Sequence, residues 1–355
     1  MNEQVLVAMS GGVDSSVTAL LLQKAGYSCH GVMMQLFDRS CASLFAQDRI
    51  PQTATDDARR VAERLGIPFS SFPLCREFRE HVMQYFVDTY LAGGTPNPCV
   101  QCNRTMKFGR LLEIARELDC QKIATGHYAR IEQDANGRFL LRTAKDASKD
   151  QSYVLWCLTQ EQLSSTLFPL GDLTKAEVRQ IAQESGFCNA ERRDSQDICF
   201  VPDGDYAAFI ARFTGKEYPK GKFVDANGNV LGEHNGMIHY TIRQRKGLGI
   251  AFGAPTYVCA KDAPSNTVTL GGNDALFSKE LTARSVNLIA TPSLKAPIRA
   301  EVKIRYKATP AKAVVEQTDI DCVRVLFDEP QRAISKGQSV VFYDGDTVIG
   351  GGIID

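Results

Sequence analysis

The chain has 355 residues, 44% of them apolar and 23% charged, with 41 Lys plus Arg against 41 Asp plus Glu. Two or three globular domains fit that length and composition. No apolar run nears the roughly 20 residues of a membrane span and no signal-peptide pattern opens the chain, so a cytoplasmic protein without a membrane partner is expected, and zero net charge leaves nucleic-acid contact to a local patch.

Residues 5–9 are an apolar run that reads as a buried parallel strand. Ser10-Gly11-Gly12-Val13-Asp14-Ser15-Ser16 follows, then a helical stretch over 17–25 stopped by Gly26. Strand, glycine turn and helix aim backbone N–H groups and a positive helix end at a phosphate. The three serines add hydroxyl donors, and Asp14 is a candidate magnesium ligand. The loop lacks the Lys of a Walker A motif.

A second strand is expected over 28–34, ending at Met34, where a nucleotide would lie. Residues 38–52 read as an irregular excursion. A helix is predicted over about 56–65, with Thr55 as its cap and Ala58, Val61, Ala62 and Leu65 as its apolar stripe. A third strand spans 67–72 despite Pro68, and Phe78, Val82, Tyr85 and Phe86 mark another helix to about 91. This alternation predicts an α/β, doubly wound parallel sheet.

Residues 93–103 hold two glycines, two prolines and a CxxC pair, Cys99 and Cys102, and read as a loop of restricted geometry. Eleven cysteines, an odd number at irregular spacing, make no disulfide framework, so some thiols are expected to do chemistry. A helix follows over 108–118, with Leu111, Leu112 and Ala115 inward, then a strand over 122–128 that contains Gly126 and His127. Residues 134–137 form a turn between two short strands, 145–153 a polar run, and 174–185 an amphipathic helix with Val178, Ile181 and Ala182 inward. Residues 194–200 close the first domain, and Cys199 between Ile198 and Phe200 reads as a core thiol.

Glycine-rich turns and short strands, including 257–261 and 267–270, suggest a small β-rich domain over 206–275 that carries the basic loop Arg243-Gln244-Arg245-Lys246-Gly247. Alternating strands at 298–306, 313–317, 322–327, 339–343 and 348–354 predict a β-barrel over 276–355. Residues 284–312 contain seven Lys or Arg against Glu301 alone, a local excess suited to a phosphate backbone unless Asp319, Asp321, Asp328 and Glu329 offset it. The domains expected are thus 1–205, 206–275 and 276–355.

The loop over 10–15 resembles the pyrophosphate loop of PP-loop ATP pyrophosphatases, whose fold is adenine-nucleotide α-hydrolase-like. Several further motifs stand in one order with it: Thr95-Pro96-Asn97-Pro98 and Cys102-Asn103, Ala124-Thr125-Gly126-His127-Tyr128, Lys149-Asp150-Gln151-Ser152-Tyr153, Asp194 to Phe200, Gln244-Arg245-Lys246-Gly247-Leu248-Gly249, and the terminal Gly350-Gly351-Gly352-Ile353-Ile354. Together they resemble the bacterial tRNA-specific 2-thiouridylases over essentially the whole chain. The resemblance implies adenylation of C2 of the wobble uridine by ATP with Mg2+, followed by replacement of AMP by sulfur. It implies that Ala8, Met9, Ser10, Gly11, Gly12, Val13, Asp14, Ser15, Met34 and Gly126 hold ATP. Cys199 would carry a persulfide and Cys102 would be its thiol partner. Asn97, Pro98 and Cys99 would meet the target base, and His127, Lys149, Asp150, Gln151, Arg305, Tyr306 and Gln338 the anticodon arm of tRNA. A cysteine desulfurase or sulfur relay protein would donate the sulfur.

Two residues depart from that family's pattern. Cys99 stands where members carry Asp, so Cys99, Cys102 and Cys199 form a three-thiol set whose alternative use is to hold a sulfide-binding 4Fe-4S cluster, the persulfide being favoured because Cys102 and Cys199 alone suffice for it. Arg243 stands where members carry Gly, adding charge near the presumed tRNA and removing a turn residue. The competing readings are a small-metabolite PP-loop synthetase and a non-enzymatic cysteine-rich RNA-binding or metal-storage protein. The first leaves the paired thiols and basic barrel without a use.

Overall fold

The structure, a computed structural model, describes residues 3–38, 44, 52–192, 198–250 and 253–355. The expected excursion over 38–52 and the motif over 194–197 lie largely outside the described residues.

β1 (Gln4–Ala8), β2 (Ser28–Gln35), β3 (Phe69–Pro73) and β4 (Lys122–Ala124) are parallel strands of the first sheet. β5 (Arg130–Gln133) and β6 (Phe139–Arg142) then leave it as a hairpin, and β7 (Thr166–Leu167) returns to its edge. The order is β3-β2-β1-β4-β7. Val5, Leu6 and Val7 are wholly buried, as a central strand covered on both faces requires. The chain leaves β1 toward β2 on one side, while β4 lies on the other. The loops after β1 and β4 therefore meet at the switch point, where open α/β sheets form a crevice. β3 begins after Pro68, so the proline costs no ladder bond.

Several helices differ from expectation. The second runs over Gln52–Leu65, so Thr55 lies inside it rather than capping it. No Gly or Pro in residues 52–54 stops the helix from extending upstream. Pro98–Cys102, Asn103–Arg110 and Leu111–Glu117 run on as one helix, the middle piece π-helical. The CxxC pair is thus the first turn of a helix, not part of a loop. Asn97 caps it, its side-chain oxygen accepting from the N–H groups of Cys99 at 2.8 Å and Val100 at 3.4 Å, and Pro98 occupies the first helical position. The strand expected over 122–128 is only β4, and 125–128 continue as irregular chain. Lys175–Glu184 is capped by Thr174 and Glu177 in a reciprocal box.

The middle of the chain forms a four-stranded sheet of β8 (Gly221–Val224), β9 (Val230–His234), β10 (Tyr257–Asp262) and β11 (Thr267–Gly271), in the order β10-β11-β8-β9. The rest of the chain supplies β12 (Phe277–Leu288), β13 (Ile298–Lys303), β14 (Ala311–Asp319), β15 (Cys322–Arg332), β16 (Ser339–Asp344) and β17 (Thr347–Ile354). β17 pairs back onto β12 and closes a six-stranded barrel. β12 has no counterpart among the strands expected from sequence. β6 adds to β17, so the hairpin of the first domain belongs to the same sheet as the barrel. A Cβ at Gly351 would come within 2.7 Å of Trp156, so the glycine lets the last strand lie directly on the first domain. No helix among the described residues is long and apolar enough to cross a membrane.

Candidate active site

Gly11 has a φ of +72°, and a Cβ there would stand 2.2 Å from the carbonyl oxygen of Ala54. Only glycine fits both constraints. Ser15 and Ser16 are buried and donate to the Gly12 carbonyl at 3.0 Å each, while Ser15 accepts from the Ser10 N–H at 3.2 Å. No side chain caps the helix Val13–Lys24, which leaves its first amides for an anion. Ser10 is exposed, Ala8, Gly12 and Asp14 are half-buried, and Met9, Gly11, Val13 and Ser15 are buried. Met34, at the end of β2, is half-buried against the core.

Four residues around the loop have no role in the sequence reading. Lys175 reaches back to Asp14, its Nζ donating to the two carboxylate oxygens at 2.7 and 2.9 Å, with only 11% of its side chain exposed. Tyr128 donates its hydroxyl to the same carboxylate at 2.8 Å. Asn189 donates to the Gly11 carbonyl at 2.9 Å. Arg192 donates to that carbonyl too, at 3.3 Å, and pairs with Asp57 at 2.9 Å. One sequence signal pointed to Lys175: a cation in a helix's first turn opposes the macrodipole and calls for another use. Both oxygens of Asp14 are engaged, so magnesium does not fit on this carboxylate as it stands.

Gly126 explains how the two loops meet. A Cβ there would lie 3.0 Å from Asp14 and from the Ser15 nitrogen. The close approach is to the phosphate loop's own backbone. His127 is buried between Phe108 and Phe168, with Nδ1 2.7 Å from the Thr125 hydroxyl and Nε2 3.4 Å from Lys107 Nζ. Burial, and then the Lys107 charge, hold its pKa well below 6.5. Residues 125–128 thus touch the phosphate loop through Gly126 and Tyr128 and the cysteine helix through His127.

Cys99 is exposed, Cys102 is buried and Cys199 is exposed, all three as free thiols. Phe200 is buried against Phe78, Phe86 and Phe209, and anchors the turn that carries its neighbour Cys199 outward. The core placement expected for Cys199 is therefore corrected. Solvent reaches this thiol, yet surrounding protein desolvates it as an interior group is desolvated. That desolvation, and then the charges of Cys102 and Cys99, push its pKa up to about 12. Burial also raises Cys102, with Lys107 opposing and Cys99 adding to the shift. The three thiols and Lys107 therefore share one electrostatic environment. Among the described residues no group of three or more His, Cys, Asp or Glu is placed to hold a metal ion, so the 4Fe-4S arrangement does not fit the three cysteines as they stand.

The raised Cys199 pKa predicts slow alkylation. At pH 7.5 iodoacetamide should label Cys199 about 10²-fold more slowly than free cysteine, its lower thiolate fraction only partly offset by greater nucleophilicity. The rate should still be rising above pH 9. Peptide mass mapping over time checks this, and a plateau near pH 8 would contradict it.

The family model described as "tRNA methyl transferase HUP domain" matches residues 3–203. "tRNA methyl transferase PRC-barrel domain" matches 207–272, and "Aminomethyltransferase beta-barrel domain" matches 278–354. Proteins named tRNA-specific 2-thiouridylase MnmA are similar over the whole chain. That of Clostridioides difficile is 48% identical over 100% of this chain and 99% of its own length. That of Heliobacterium modesticaldum is 50% identical over 100% and 93%, and that of Clostridium acetobutylicum 47% over 100% of both. The chain belongs to the tRNA-specific 2-thiouridylase family.

In this 2-thiouridylase family member the residues expected at tRNA occupy two kinds of position. His127 is buried, between Phe108 and Phe168. Asp150 accepts from the N–H groups of Ala144 and Ser152 and from the Ser152 hydroxyl, and Gln151 accepts from the Tyr128 N–H, so both shape the crevice. Gln338 donates to the Thr95 carbonyl at 2.9 Å, and Thr95 donates to that of Lys336 at 2.7 Å. The barrel thereby clamps the segment ahead of Asn97. Lys149 and Arg305 are half-buried, and Tyr306 is 37% exposed. Arg243 keeps the turn a glycine would make, at a φ of +81°, so the expected loss of that turn is corrected.

Proposed function

We propose that the chain thiolates C2 of the wobble uridine of tRNA, using ATP and a persulfide on Cys199. The observation that supports this best is the bridge at 125–128, which brings the phosphate loop and the cysteine helix to one crevice. ATP lies along the first amides of the helix Val13–Lys24, and the C2 oxygen of uridine attacks its α-phosphate, releasing pyrophosphate. The outer sulfur of the Cys199 persulfide then attacks C2 and AMP leaves. Cys102 attacks the inner sulfur, the S–S bond breaks, and the outer sulfur stays on the base. A Cys102–Cys199 disulfide remains, which an external dithiol reductant must reopen before the next turnover.

Both thiols lie above the usual cysteine range through burial, and Lys107 is the cation that opposes this in each. Lys107 is well placed to favour the anionic sulfur that each step needs. Cys99, exposed on the first turn of the same helix, stands beside the incoming base. The family descriptions name methyl transfer, but a phosphate loop with an engaged Asp–Lys pair and three gathered thiols suits sulfur transfer. The test supplies ATP, tRNA, cysteine and a cysteine desulfurase to the purified protein. Wobble nucleosides should gain sulfur for oxygen with one AMP released per thiolation. Sulfur gain without AMP, or AMP release independent of tRNA, would sink the reading, and the second result would favour a small-metabolite synthetase.

A further inference from the structure

One stretch of chain grips the phosphate loop at two points. Lys175, at the start of the helix Lys175–Glu184, holds Asp14, and Asn189, just beyond the end of that helix, holds Gly11 and Ser16. Asn189 is 4% exposed. Its side-chain nitrogen donates to the Gly11 carbonyl at 2.9 Å and to the Ser16 hydroxyl at 3.0 Å. A carbonyl at that distance accepts only from an N–H, which settles which end of the amide faces it. Arg192 adds a longer bond to the same carbonyl, 3.3 Å, while pairing with Asp57 at 2.9 Å. The Asn189 side-chain oxygen is buried with no partner among the described residues. An apolar residue of the same shape would spare the fold that stranded acceptor, so packing does not explain an asparagine here.

The bond to Gly11 decides the orientation of one peptide unit. That unit is planar and trans, so the carbonyl of Gly11 and the N–H of Gly12 point opposite ways. Glycine on both sides leaves it free to turn over, because neither residue has a Cβ to resist the change. With the carbonyl pinned toward Asn189, the Gly12 N–H faces away from it, and no acceptor among the described residues takes that N–H. Turned over, the same unit would present its carbonyl oxygen to the phosphates. The next carbonyl, that of Gly12, is held by the hydroxyls of Ser15 and Ser16 at 3.0 Å each. Ser16 is thus oriented at both ends, accepting from Asn189 and donating to Gly12.

We propose that Asn189 is a positioning residue for adenylation, locking the Gly11–Gly12 peptide with its N–H toward the phosphates of ATP, and that Arg192 seconds the lock. Asn189 acts through the loop. It spares the reorganisation that this peptide would otherwise undergo as charge builds on the departing pyrophosphate. The inference rests on the ATP-dependent reading above and deepens it.

Asn189→Leu keeps the approximate shape and removes both donors. The kcat for tRNA-dependent AMP formation should fall about 10²-fold, the scale of one lost preorganised donor. Affinity for ATP should fall about tenfold, while affinity for adenosine, which has no phosphates, stays as in wild type. The KM for tRNA should not move. Asn189→Ala, which avoids any overpacking, should behave alike. The Arg192 side chain is 38% exposed, and Arg192→Ala, the variant least able to disturb folding, should lose about threefold in kcat with the same bias against ATP. Titration calorimetry with ATP and with adenosine, beside steady-state AMP release, reads these effects. Equal losses of ATP and adenosine affinity would show Asn189 to be structural only and overturn the lock. A wild-type kcat in every variant that folds would overturn it too. Both results leave adenylation by ATP standing. Wild-type protein that binds ATP no more tightly than adenosine would instead overturn the phosphate-loop reading itself.

Discussion

Cys199→Ser abolishes thiolation, by about 10³-fold or more, and leaves tRNA-dependent AMP formation in place. The serine hydroxyl cannot carry a sulfane sulfur, and activation precedes the step it would block. Cys102→Ser stops multiple turnover, because the adduct on C2 then lacks the thiol that releases it. Cys99→Ser separates the two sulfur chemistries. In the persulfide route Cys99 holds no transferred sulfur, so its loss leaves partial activity. If a 4Fe-4S cluster were the carrier, Cys99→Ser would remove both the iron and the activity. Protein purified without oxygen, assayed for iron and for labelled sulfur on Cys199, reads the difference. Stoichiometric iron lost in Cys99→Ser would refute the persulfide route.

Lys175→Ala lowers AMP formation by about 10²- to 10³-fold, the scale of removing a preorganised charge from a transition state. Affinity for tRNA and its salt slope stay as in wild type. Asp14→Ala has the same effect on AMP formation. The Lys175 side chain is 11% exposed and that of Asp14 30%, so removing one partner strands a charge that is largely out of water. A destabilisation of about 2 kcal/mol follows, discounted from the fully buried case for the solvent that reaches Asp14. In Asp14→Ala/Lys175→Ala the stranded charge is gone, and part of the stability returns while activity does not. Thermal melts and single-turnover AMP release measure the two effects independently. Recovery of activity along with stability would show the pair to be structural only.

The strands around the phosphate loop were legible from runs such as Val5 to Met9, because a buried strand needs nothing but apolar side chains over its length. The loop itself was legible because Gly11 meets a local need, a positive φ with another chain at its Cα. The helix Lys175–Glu184 was legible from its apolar stripe, Val178, Ile181 and Ala182. The start of the cysteine helix was misread because two prolines and two glycines mark loops in general, while Asn97 followed by Pro98 is also a helix start. Cys199 was misread because flanking apolar residues speak for a core position only if the backbone is regular there. Phe200 goes inward and Ile198 packs partly against the same core, while Cys199 between them stays exposed.

Local chemistry by itself determined the parallel sheet, the phosphate loop, the amphipathic helices and the change to short strands toward the chain's end. Each follows from periodicity or glycine freedom within a few residues of sequence. Only the tertiary structure decided that Lys175 closes on Asp14 across 161 positions and that the hairpin β5/β6 extends the barrel's sheet. Such contacts are made between side chains whose segments fold for independent reasons. They leave no periodic trace, and their energies depend on distance and on solvent exclusion, which do not exist until the chain has packed.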